Sequence, residues 1–129
     1  GGVAGDIFIV RAAGVFSTKA SGPGTLMLTL LENAAGVAQT GAVTMTQNLT
    51  DRGWSMEVVL AALDLTEVEA QGMVLMGGTS NPVRDMPNAA RVAGTSLLTG
   101  TFTIKVAWSL ADPANTITLR QFMVTRMAA

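Results

Sequence analysis

Hydrophobic and polar residues alternate along much of this chain. Near its end Phe102, Ile104, Val106 and Trp108 alternate with Thr101, Thr103, Lys105, Ala107 and Ser109. A period of two places the first set on one face of a strand and turns that face to a core. The same pattern recurs at residues 25–31, where Leu26, Leu28 and Leu30 oppose Thr25, Met27 and Thr29. It recurs at residues 54–63, where Trp54, Met56, Val58 and Leu60 oppose Ser55, Glu57, Val59 and Ala61. Asp112-Pro113 interrupts the pattern and residues 115–126 return as a second arm. In that arm Ile117 and Leu119 share one phase, while Phe122 and Val124 have the other. A bulge near Arg120-Gln121 would bring both pairs to one face.

The remaining strands are weaker. Residues 6–13 read as a strand, Gly14 as a bulge or bend, and residues 15–18 as its continuation. Residues 37–46 form a returning arm in which Val43 and Met45 alternate with Thr44 and Thr46. Residues 72–77 and 91–98 are short strands. Ser21-Gly22-Pro23-Gly24 is the strongest turn signal, and residues 32–36, 48–53 and 99–100 are turns. Residues 64–71 are too short for an independent helix and read as a connection. Residues 78–90, with Asn81-Pro82 and Met86-Pro87, read as a long loop. About eight strands separated by turn signals predict an all-β, antiparallel sandwich or barrel. One domain spans residues 1–129, with residues 1–5 a flexible Gly-rich arm.

Composition sharpens the picture at two points. Charged residues make up 13% of the chain, against about 25% in an ordinary soluble domain. A domain of 129 residues has a large surface for its volume, so with so few charges part of that surface is expected to be covered by other subunits. The longest apolar run, residues 58–63, is far below the roughly 18 residues of a membrane helix. The formal net charge is −1. The cations are scattered, Arg84 and Arg91 included, so neither nucleic acid nor a membrane surface is an expected partner. No secretory leader is expected from Gly1-Gly2-Val3, which has neither a cationic nor an apolar region.

The chain contains no His and no Cys. That removes imidazole bases, thiolate nucleophiles, disulfides and the usual zinc ligands, and leaves the redox compartment open. Asp64, Glu67 and Glu69 lack the ligand spacing and glycine of a calcium loop and read as solvated loop carboxylates. Asp51, Glu57 and Asp112 are available for a two-carboxylate hydrolase, but nothing in their spacing pairs them across a cleft. No catalytic, cofactor-binding or metal-binding residue is therefore expected, and the chain does not read as an enzyme. Trp54 and Trp108 could stack on sugar, but both lie on apolar-phased faces where core packing is the default. Asn48-Leu49-Thr50 fits a glycosylation acceptor, which has meaning only in a eukaryotic secretory setting. The methionines (Met27, Met45, Met56, Met73, Met76, Met86, Met123 and Met127) read as fillers of core or interface. Gly22-Pro23-Gly24 has no following Lys and is not a phosphate loop.

Three stretches together resemble a known group. They are Gly-Pro-Gly-Thr-Leu-Met-Leu-Thr-Leu (residues 22–30), Arg-Gly-Trp-Ser-Met-Glu-Val-Val-Leu (52–60) and the closing pair Phe-Thr-Ile-Lys-Val-Ala-Trp-Ser and Asn-Thr-Ile-Thr-Leu-Arg-Gln-Phe-Met-Val-Thr-Arg within 102–126. Over most of residues 6–126 the chain resembles the small jelly-roll virion proteins of tailed bacteriophages, whose sandwich is similar to the tumour-necrosis-factor type. The resemblance implies a homotrimer on the capsid exterior, a decoration or cement protein seated on the major capsid protein and bridging capsomers. Contacts would come from the residue 1–6 arm and the sheet faces. It brings no catalytic motif. The alternative it implies is the receptor-binding tip of a tail fibre that reads host glycan through residues 78–90 and 48–53. A trimeric cytokine or complement-like domain is disfavoured by the absence of Tyr and Cys.

Overall fold

The computed structural model describes residues 5–32, 35–62, 68–78, 83–87 and 101–127. The alternating segments form strands whose register follows from the side each must bury. They are β1 (Ile7–Ser17), β2 (Thr25–Glu32), β3 (Ala35–Gln39), β4 (Val43–Thr44), β5 (Arg52–Ala62), β6 (Val68–Met76), β7 (Val83–Pro87), β8 (Phe102–Trp108) and β9 (Thr116–Met127). Every pairing is antiparallel. One sheet is five strands wide, in the order β7-β6-β5-β1-β9. In the other, β2 is central, β8 runs along one edge, and β3 and β4 share the opposite edge.

The core lies between the sheets. Phe8, Val10, Ala12 and Phe16 of β1, and Trp54, Met56, Val58 and Leu60 of β5, meet Leu26, Leu28 and Leu30 of β2 there. The β2 and β5 residues are the apolar phases read from the sequence. The pairing is partly nested: the first strand pairs with the last, and β2 with β8. A jelly-roll also alternates strands between sheets, whereas β5, β6 and β7 run as a meander within one sheet.

Four segments differ from the sequence reading. Residues 68–71, read as a connection, are strand, with Val68 to Gln71 in register with Ala62 to Val59. A long β5 neighbour supplies the ladder that local propensity did not announce. Residues 83–87, read as loop, form an edge strand on β6. Pro87 is tolerated there because an edge strand can leave one N–H side unpaired. The arm at 37–46 is split into β3 and β4, with Gly41 at φ 75° at the break. The third strand also begins inside the turn read at residues 32–36. The predicted strand at 91–98 and the first four residues of the predicted arm lie outside the described residues.

The bulge falls on the final strand. Ala13 faces Gln121 and Gly14 faces Leu119, so Arg120 is the extra residue. Gly14 itself marks a close approach of backbones. The Trp54 Nε1–H donates to the Thr118 carbonyl at 3.0 Å across this point.

Candidate assembly surface

β9 is the last strand of its sheet, and among the described residues its outward edge pairs with no strand. Residues directly opposite in an antiparallel ladder share a face. Val124 and Phe122 stand opposite Val10 and Ala12, and Leu119 and Ile117 opposite Gly14 and Phe16. All four therefore carry the phase that points into the sandwich. Among the described residues β8 is likewise an edge: Phe102, Ile104, Val106 and Trp108 stand opposite Glu32, Leu30, Leu28 and Leu26, all buried.

Among the described residues these two edges do not pair with each other, and because β3 and β4 share one edge of β2, the described part of the second sheet is three strands wide. Residues of the buried phase are left in the open: Leu119 is 51% exposed, Phe122 40%, Val124 40% and Val106 39%. Trp54, Phe102, Ile104, Val106, Leu119 and Phe122 line a groove of about 440 Å³ between the edges. Fully burying a side chain of this size contributes about 1.5–3 kcal/mol, so covering the exposed part of each adds on the order of 1 kcal/mol.

The outward face of the five-stranded sheet is also apolar. Val59, Met73, Leu75, Val83, Met123 and Met127 are exposed on it. Met73 and Leu75 on β6 and Met123 and Arg120 on β9 wall a depression of about 860 Å³, with the small side chains of Ala13 and Ser55 between them. An Arg11–Glu57 pair crosses it at 2.8 Å, half exposed on both sides. A pair in that setting contributes little.

Two polar devices hold the ends of β9. Asp6 is fully buried, and its Oδ2 accepts from Arg126 Nε at 2.9 Å and Nη2 at 2.8 Å. These charge-assisted bonds tie the end of the last strand to the start of the first. At the other end Asn115 is buried: its Oδ1 accepts the Lys19 N–H at 2.9 Å, and its Nδ2 donates to the Pro23 carbonyl at 2.9 Å and the Leu110 carbonyl at 3.2 Å. Neither was singled out from sequence, where a lone Asp and a lone Asn carry no periodic signal.

The carboxylates weighed from sequence are not gathered into a site. Glu57 pairs with Arg11. Asp112 caps the Ala114 N–H at 2.9 Å and lies 3.7 Å from Lys19 Nζ. Asp51 sits in a turn at φ 46°, where its N–H donates to Ser17 Oγ. Glu69 is exposed on β6. Asp64 and Glu67 lie outside the described residues. Among the described residues no group of three or more His, Cys, Asp or Glu is placed to hold a metal ion. Trp54 is core, and Trp108 packs partly buried against it. Met45, Met56, Met76 and Met86 are core, while Met73, Met123 and Met127 are exposed. The turns at 48–53 and 77–78 adjoin, with the Gly77 N–H donating to the Gly53 carbonyl at 2.8 Å. Residues 79–82 and 88–90 of the long loop lie outside the described residues. No protein-family model, curated protein or solved structure matches this chain.

Proposed function

We propose that this chain is a non-catalytic structural subunit of a larger assembly. The assembly we propose is a virion shell, with the chain on its exterior as a homotrimeric decoration or cement protein against the major capsid protein. One observation carries the structural-subunit reading: β9 presents side chains of the buried phase to solvent, and among the described residues no strand covers that side. At about 25 cal/mol per Å² of apolar surface, a modest footprint repeated over a shell adds substantially to its cohesion. The virion setting is supported by the resemblance of residues 22–30, 52–60 and 102–126 to phage jelly-roll proteins. A tumour-necrosis-factor-like roll belongs to the same proposal. The β1–β9 and β2–β8 pairs agree with its outer rungs, and the β5–β7 meander departs from it.

A second reading, the tip of a tail fibre recognising host glycan, is favoured by one feature. The turns at 48–53 and 77–78 adjoin at one end of the sheet, and Asn48 and Asp51 there have φ values of 60° and 46°. Loops held by a rigid scaffold are the usual place for recognition. The copy number of this protein per purified particle, relative to the major shell protein, decides between the two. The decoration reading predicts a ratio near parity. A few copies per hundred would move the chain to a tail or fibre, and its absence from particles would overturn both readings.

A further inference from the structure

We infer that Met123, Arg11, Glu57 and Met73 form a peroxide-responsive row on the outward face of the five-stranded sheet, in which oxidation of the two methionines turns apolar shoulders polar and gives Arg11 a second acceptor. The row faces away from the β8–β9 groove and needs no partner. Methionine is the only sulfur residue in this chain, which has no Cys. Met45, Met56, Met76 and Met86 are buried in the core, while Met73, Met123 and Met127 are about half exposed. Cross-strand register places two of the exposed set at the ends of one row. Met123 stands opposite Arg11, Arg11 opposite Glu57, and Glu57 opposite Met73. Directly opposite residues on one face have Cβ atoms about 4.5–5.5 Å apart. All four line the same depression. At each exposed thioether the sulfur lone pair takes one peroxide oxygen, the O–O bond breaks and water leaves. The sulfur is oxidised by two electrons and the peroxide is reduced. The product is a polar sulfoxide, which methionine sulfoxide reductases return to the thioether with a thiol as reductant. Arg11 gives the two ends of the row different responses. Its Nε–H already donates to Glu57 Oε2 at 2.8 Å. A guanidinium has five donors, so the Nη groups can also donate to a sulfoxide oxygen on Met123. At Met73 the new oxygen instead meets the Glu57 carboxylate, acceptor against acceptor, and turns to water.

Dilute hydrogen peroxide added to the folded wild-type chain tests this. Peptide mapping should find sulfoxide, about 16 Da per oxygen, at Met73 and Met123 before any at Met45, Met56, Met76 or Met86. The second readout is the Arg11 Nε–H resonance, assigned by its loss in Arg11→Lys. It should shift on oxidation in the wild type and in Met73→Leu, shift far less in Met123→Leu, and return after treatment with the reductases. Leucine conserves volume and apolar character at these exposed positions, and circular dichroism verifies that both variants fold. The mapping needs no variant. Sulfoxide forming in the core methionines as fast as at Met73 and Met123 would overturn the inference. So would an Arg11 signal that stays in place in the fully oxidised wild type, or that moves as far in Met123→Leu.

Discussion

Replacing Gly14 by valine lowers folding stability by about 3 kcal/mol or more, roughly 10 °C in melting temperature. The cause is a contact between backbones. A Cβ on Gly14 would lie 1.8 Å from the Thr118 carbonyl oxygen and 2.9 Å from Trp54 Nε1. Neither neighbour is the free end of a flexible side chain. The carbonyl belongs to β9 next to its bulge, and the indole is buried in the core. Making room requires β9 to move off β1 and the Trp54–Thr118 hydrogen bond to break. Overpacking typically costs about 1–3 kcal/mol, and a stranded buried donor costs a similar amount. Gly53 supplies the control: nothing lies within 4 Å of a Cβ there. Gly53→Ala should be neutral or slightly stabilising, since alanine restricts the unfolded chain. Urea unfolding of both variants checks the pair. A Gly14 variant within about 0.5 kcal/mol of wild type, the range of ordinary surface substitutions, would show that β9 is not seated on β1 as described.

Asn115→Ala should cost about 2–4 kcal/mol. The side chain joins two connections far apart in sequence, one leading from β1 to β2 and the other from β8 to β9, by bonds to Lys19, Pro23 and Leu110. Each bond contributes about 1 kcal/mol net, and its loss inside the protein leaves partners without water to replace it. Aspartate is not a remedy. It keeps the acceptor for the Lys19 N–H but offers no donors to the Pro23 and Leu110 carbonyls, and sets a carboxylate against both. Asn115→Asp should therefore be no more stable than the alanine variant near neutral pH. The local signature is faster hydrogen exchange at the Lys19 amide in the alanine variant, which has lost its acceptor, and not in the aspartate variant, which keeps it. Wild-type stability in the alanine variant, with unchanged exchange at Lys19, would contradict this role.

The strands that could be read in the sequence were those with one buried face. β2, β5 and β8 alternate cleanly because one sheet surface decides each second residue. The bulge at Arg120 was legible too, since Ile117 and Leu119 are out of phase with Phe122 and Val124 unless one residue is added. β7 and the first half of β6 were not legible. Val83 to Pro87 is short and ends in proline, and its strand character comes from pairing with Gln71 to Leu75. Only the ladder makes it a strand. The exposed apolar surface was half visible: a low charge content pointed to apolar surface but not to its location. The run Phe122-Met123-Val124 carried the missing signal. Three consecutive apolar residues in a strand put large side chains on both faces. β9 was instead expected to be core, because periodicity shows which residues share a face and not how wide the opposing sheet is.

The central claim is that this sandwich is completed by other subunits. The most direct test is the native mass of the purified wild-type chain at tens of micromolar, by sedimentation or native mass spectrometry. A discrete multiple of 13.3 kDa, with three copies expected, is the predicted result. A particle of 13.3 kDa at every accessible concentration would contradict the claim, leaving Leu119, Phe122 and Val124 facing water in the functional state.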